Sequence, residues 1–252
     1  MKKQAIAALL AALLLTGCAA DSTVQPEEPS ATASAERETL PVQMEETVPA
    51  ERETEPAAST NSDTVMVYPE PQDMVFVAVA DYIPDIQTDL KYAGTDNFTG
   101  QVVYEFSTVY LRYGTVRKLS AVQEDLKALG LGLKIWDGFR PVVAQHRLWE
   151  VCPDPRYVAN PNTGFSSHSR GNTVDVTLVD SEGREVVMPT GFDDFSSLAD
   201  RDYSDCTQEA ADNAELLEAV MEKHGFTGYA AEWWHYSDLE SYPVEEQFQP
   251  TS

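Results

Sequence analysis

Ser166-Ser167-His168-Ser169-Arg170-Gly171-Asn172-Thr173-Val174-Asp175-Val176-Thr177-Leu178 is the stretch on which the fold turns. Its second half alternates, with Val174, Val176 and Leu178 on one side and Thr173, Asp175 and Thr177 on the other. A period of two is the signature of a β-strand, so Asp175 points away from the apolar face. His168 stands before a glycine-containing turn, seven positions ahead of Asp175. A helix would put the two on one face after two turns, but Gly171 and the alternation argue against it. A turn that leads straight into a strand can instead return both side chains to one point.

Other segments extend this pattern in both directions. Val75 to Val79 has strand character, and residues 83–99, broken by Pro84, Gly94 and Asn97, read mostly as loop. Val116, Leu119, Val122, Leu126 and Leu129 share one face of a helix over residues 115–129, stopped by Gly130 and Gly132. Leu133 to Trp136 reads as a strand and residues 142–150 as a helix. Glu185 to Met188 is expected to pair back on the Asp175 strand across the Ser181-Glu182-Gly183 turn. A helix over residues 208–224 turns Leu216, Leu217, Val220 and Met221 inward and stops at Gly225; residues 226–236 then look extended. Strands and helices mix without regular βαβ alternation. The expectation is one α+β domain, with a central, mainly antiparallel sheet flanked by helices, over residues 65–252.

The preceding residues are different in kind. Lys2 and Lys3, an apolar run from Ala5 to Leu15, and Leu15-Thr16-Gly17-Cys18 predict a signal peptide over residues 1–18. The run is too short for a mature membrane-spanning helix. Small residues before a cysteine resemble a bacterial lipobox, with Cys18 as the lipidation site; cleavage near Ala19 or Ala20 is the plainer alternative. The chain is then expected to be exported and held to the membrane through a lipid anchor only. Residues 19–64 are rich in Glu, Thr, Ser, Pro and Ala with almost no aromatics, a composition that cannot bury enough apolar surface to fold. They read as a disordered acidic linker.

A net charge of −25 argues against a nucleic-acid partner and against charge-driven binding to anionic lipid. Cys152 and Cys206 could pair in an exported protein, or remain free.

The second informative block is Glu232-Trp233-Trp234-His235. Two imidazoles and a carboxylate can hold a divalent metal with one position left open, and a further carboxylate can then work on water there. That pattern points to hydrolysis. On an extended segment the side chains of Glu232 and His235 would face opposite ways, so a local bend is required. Each residue also has an ordinary use: His168 as a capping histidine, Asp175 as a turn carboxylate, His235 as a hydrogen-bonded core residue behind two core tryptophans. Apolar surroundings would raise the pKa of Glu232 and make it a better proton acceptor.

Taken together, Ser166-x-His168-x-x-Gly171-x-x-x-Asp175 and Glu232-x-x-His235 resemble the zinc D,D-peptidases of the D-Ala-D-Ala dipeptidase and carboxypeptidase group. Asp89 to Ala93 with Asp96 to Gly100, then Asp137-Gly138-Phe139-Arg140-Pro141, Gly191-Phe192-Asp193 and the Trp-Trp step before His235 resemble its dipeptidase branch. The resemblance implies one Zn²⁺ per chain held by His168, Asp175 and His235, with Glu232 as general base. It implies Arg140 as the oxyanion partner, where an ion pair with Asp137 would be the structural alternative. It further implies Asp193 for the substrate ammonium, where a helix cap ahead of Phe195 is the alternative, and Ser166 for its carboxylate. The substrate would be a D,D-dipeptide such as D-alanyl-D-alanine, or another small peptidoglycan-derived molecule. A D,D-carboxypeptidase that trims the stem peptide, and a wall-binding module without activity, are the competing readings. Export would direct the activity to wall turnover or dipeptide salvage, because a resistance enzyme must destroy the dipeptide in the cytoplasm.

Overall fold

The computed structural model of the protein describes residues 70–251. The expected signal peptide, Cys18 and the acidic linker lie outside the described residues. The described elements run β1 (Phe76–Ala78), α1 (Val79–Tyr82), β2 (Gln87–Thr88), β3 (Tyr110–Arg112), α2 (Tyr113–Ala128) and β4 (Leu131–Asp137). They continue α3 (Val142–Val151), β5 (Thr173–Asp180), α4 (Gln208–Lys223), β6 (Phe226–Tyr229) and β7 (Glu232–Asp238). Five strands form a sheet in the order β2-β4-β5-β7-β6, and β1 pairs with β3 separately. Only β2 with β4 is parallel in the larger sheet; its other pairings are antiparallel. This is the expected α+β arrangement.

Strand β5 lies in the middle of the sheet, and every residue from Thr173 to Val179 is buried. Val174, Val176 and Leu178 join the hydrophobic core with Val116, Leu119, Val122 and Leu126 of α2 and Leu217 and Met221 of α4. The opposite face, bearing Thr173, Asp175 and Thr177, is left for polar chemistry. Thr207 opens α4 by accepting from the Ala210 amide, and Gly225, at φ +84°, follows the helix where a side chain would be strained.

Several expected bounds shift. Helix α2 ends one residue earlier than expected, so Leu129 caps the helix and is exposed rather than on the inward face. Val79 leaves the first strand and opens α1. Residues 226–236 are not one extended run but part of the β6–β7 hairpin. The segment after the Ser181–Gly183 turn returns to β5 through a single bridge, Val179 to Glu185, and does not form a strand. Pro189 cannot donate to a ladder, which limits any continuation. Cys152 and Cys206 are free thiols.

Candidate active site

Cross-strand register brings the first two site residues together. Asp175 on β5 lies directly opposite His235 on β7, and Asp175 Oδ1 is 3.1 Å from His235 Nδ1. His168 comes from a 3-10 turn, Ser167–Arg170, that precedes β5. Ser166 caps this turn by accepting from the His168 amide, and Gly171 closes it at φ +74°. A side chain at Gly171 would collide with the Phe76 ring, so the turn can be this tight only with glycine. His168 Nε2 then lies 3.3 Å from Asp175 Oδ2 and 3.3 Å from His235 Nδ1. One ligand atom from each of His168, Asp175 and His235 falls within 4.8 Å of the others.

The tautomer of His168 follows from its partner. Its Nδ1 is 2.9 Å from the Gly138 carbonyl, which can only accept, so Nδ1 carries the hydrogen and Nε2 presents a lone pair to the cluster. Burial alone would raise the Asp175 pKa, but the facing His168 and His235 rings, when protonated, outweigh it and hold the group well below the usual carboxylate range. A buried anion between two imidazoles, one with its lone pair fixed inward, is a donor set suited to a divalent metal.

Glu232 reaches the same centre because β7 bulges. Gly228 pairs with Tyr236, whereas Tyr229 pairs with Glu232, so three residues of β7 have no counterpart on β6. This is the bend that the spacing required, and it buries Trp233 and Trp234 together. Glu232 Oε2 stands 3.6 Å from His235 Nδ1, and burial pushes its carboxyl above the ordinary value.

Arg140 is buried at the other wall. Its Nε and Nη2 donate to Asp137 Oδ2 at 2.8 and 2.6 Å, and its Nη1 donates to Gln145 Oε1 at 2.9 Å. Nη2 lies 3.9 Å from Asp175 Oδ2. The ion pair with Asp137 therefore exists, and it aims the guanidinium at the centre rather than away from it. Asp137 comes within reach because β4 carries a bulge between Ile135 and Asp137, which sets Asp137 opposite Asp175. The remaining Asp137 oxygen accepts from the Tyr104 hydroxyl and the Gly138 amide.

Asp193 caps no helix. It is the one non-glycine residue at positive φ, +54°, among the described residues, and it accepts from the Tyr92 hydroxyl at 2.8 Å. Burial pushes its pKa well above the usual value, against the opposing Tyr92 bond. A single cleft of about 230 Å³ is lined by His168, Asp175, Glu232, His235, Arg140, Asp193 and Ser166. All seven site residues predicted in the folded part thus face one space. It is smaller than the ~300–1,000 Å³ of sites for drug-sized ligands. Three contributors were not singled out by sequence: Tyr92, which orients Asp193; Ser167, whose hydroxyl is 3.4 Å from His235 Nε2; and the Gly138 carbonyl. Tyr92 and Gly138 stand inside motif blocks that gave them no role of their own.

Such a cleft, with a two-imidazole, one-carboxylate cluster and a spare carboxyl beside it, defines a metal-dependent hydrolase. Comparison with known proteins narrows the class. The D-ala-D-ala dipeptidase family, peptidase M15, matches residues 72–251. A D-alanyl-D-alanine dipeptidase of Escherichia coli is 37% identical over 170 residues, spanning 67% of this chain and 88% of that protein. One of Streptomyces coelicolor is 35% identical, spanning 64% and 90%. One of Enterococcus faecalis is 33% identical, spanning 67% and 94%. This chain is a metallopeptidase and belongs to the D-ala-D-ala dipeptidase family.

Proposed function

We propose that the chain hydrolyses D-alanyl-D-alanine, or a close D,D-dipeptide, with one zinc ion held by His168, Asp175 and His235. The observation that carries this reading is the convergence of those three side chains, with Glu232 3.6 Å from His235, in a cleft that also holds Asp193. When bound, zinc supplies Lewis acidity, which acidifies water and polarises a carbonyl. Glu232, raised by burial, accepts the proton of the attacking water and delivers it to the departing amine nitrogen as the C–N bond breaks. Arg140 keeps its charge against burial because Asp137 faces it, and it stabilises the negative charge that develops on the carbonyl oxygen. Asp193, oriented by Tyr92, pairs with the free ammonium, and the Ser166 hydroxyl donates to the carboxylate. Binding both ends selects a free dipeptide over a longer chain, whose amide nitrogen cannot replace the ammonium.

The test is product analysis with purified, zinc-loaded protein on free D-alanyl-D-alanine and on a stem pentapeptide. Turnover of the dipeptide alone is expected. Release of terminal D-alanine from the pentapeptide at an equal rate would favour carboxypeptidase action. Glu232→Gln should lower kcat by ~10²–10⁴-fold while zinc stays bound. Unchanged turnover would remove Glu232 from the mechanism.

We further propose that the chain is exported and lipid-anchored through Cys18, and that it acts in wall turnover or dipeptide salvage. Cys18→Ala is expected to move the protein from the membrane fraction to the soluble fraction. A large rise in glycopeptide tolerance from the exported form would contradict the turnover role.

A further inference from the structure

Glu232 and His235 are three apart on a strand yet face one cleft, and the backbone around them is bonded by a side chain from outside that cleft. The β7 bulge takes backbone groups out of the β6 ladder, and those groups need other partners. Arg201 provides partners for two of them and ties down the neighbouring turn. Its Nη2 donates to the Trp233 and His235 carbonyls, both at 3.1 Å, and its Nε donates to the Tyr229 carbonyl at 3.0 Å. Its own amide donates to the Ala230 carbonyl at 3.1 Å.

The guanidinium is fixed in turn. Nη1 faces the Tyr236 hydroxyl at 3.2 Å and Glu218 at 3.1 Å, and the group lies 4.5 Å from the centre of the Tyr236 ring. Gly228 leaves the room it occupies: a Cβ there would come within 2.2 Å of Arg201 Cζ. A planar fork with five N–H donors can serve three carbonyls at once; a lysine ammonium presents a compact charge that cannot span them.

We propose that Arg201 is a positioning residue, which holds the β7 bulge and so sets Glu232 and His235 toward the cleft together. Arg201 is not among the residues that line the cleft. The inference rests on the roles proposed above for Glu232 and His235.

The test compares Arg201→Lys, Arg201→Ala and, as a control, Val220→Ala in the α4 core. Zinc affinity is read by chelator competition, kcat and KM on D-alanyl-D-alanine, and stability by thermal unfolding. Arg201→Lys is expected to bind zinc ~10-fold more weakly, the scale of losing a supporting contact. Its kcat should fall by about 100-fold, the scale of misplacing a reacting group, with KM nearly unchanged. Millimolar guanidinium should restore part of the Arg201→Ala rate and leave the unaltered protein unaffected. Val220→Ala should lose stability but keep both zinc affinity and kcat. If the arginine variants do not fold, Gly228→Ala displaces the guanidinium without deleting it and carries the same expectation. Zinc affinity and kcat of Arg201→Lys within about twofold of the unaltered protein would overturn the inference alone. An unaltered protein that neither binds zinc nor cleaves the dipeptide would overturn the site reading and this inference together.

Discussion

Asp175 and His235 are direct cross-strand partners, 60 positions apart in sequence, with Oδ1 and Nδ1 separated by 3.1 Å. The sheet register therefore sets the distance between two of the three candidate metal ligands. Asp175→Asn preserves size and register but removes the anion. Its zinc affinity is expected to fall by more than the ~10–100-fold that losing a supporting contact costs. Equal affinity by chelator competition would show that Asp175 is not a ligand.

Arg140 has two duties that one substitution can separate from simple charge. Arg140→Lys keeps a cation but cannot hold Asp137 through two nitrogens while also reaching Gln145. A fall in kcat of ~10²–10³-fold is expected, with KM less affected, as for the loss of a charge-stabilising donor. The unfolding temperature should also drop, because Asp137 is fully buried and loses a partner. A lysine variant with normal kcat would leave Arg140 a purely structural residue.

Asp193→Asn tests the ammonium contact with little structural side effect, since asparagine tolerates positive φ. A hydrogen bond to a charged group contributes ~1.5–3 kcal/mol, so KM for the free dipeptide should rise ~10–100-fold at unchanged unfolding temperature. Steady-state kinetics on the dipeptide and its N-acetyl derivative give the readout. The derivative has no ammonium and should be a poor substrate for both proteins. Equal KM values on the free dipeptide would place the ammonium elsewhere.

Glu245 gives a pH signature away from the cleft. Its Oε1 accepts from the Gln247 and Phe248 amides at 2.8 and 3.0 Å, and Arg112 stands 3.6 Å from its Oε2. These bonds, chiefly to the backbone amides, hold its pKa below the ordinary value. A lowered carboxyl pKa contributes stability that is present above the unfolded value, ~4.3, and is lost as pH falls through the folded value. The unfolding-temperature gap between the unaltered protein and Glu245→Gln should thus be constant near neutrality and shrink below about pH 4. A gap that widens with acid would contradict the assignment.

Much of the fold was legible where one periodicity prevailed. The alternation of residues 173–178 and the 3–4 spacing of α2 both appear in the structure, because the first separates an apolar core face from a buried polar face and the second marks one buried face of a helix. The reading failed at edges and returns. Leu129 keeps the helical phase yet lies past the last turn, and residues 185–188 have strand-forming side chains without a continuous partner. The hairpin within residues 226–238 was missed because its turn, Ala230-Ala231, carries none of the usual glycine, asparagine or proline markers.

What sequence determined by itself was the chemistry available and its local geometry. Two imidazoles, their neighbouring carboxylates and the Gly171 turn set His168 just ahead of the Asp175 strand, through interactions spanning a few residues. Tertiary structure alone decided that β7 pairs with β5 in the register that seats His235 opposite Asp175. It also decided that bulges in β4 and β7 turn Asp137 and Glu232 to the same centre. Those outcomes depend on burial and backbone hydrogen bonds between segments far apart in the chain, which no local pattern encodes.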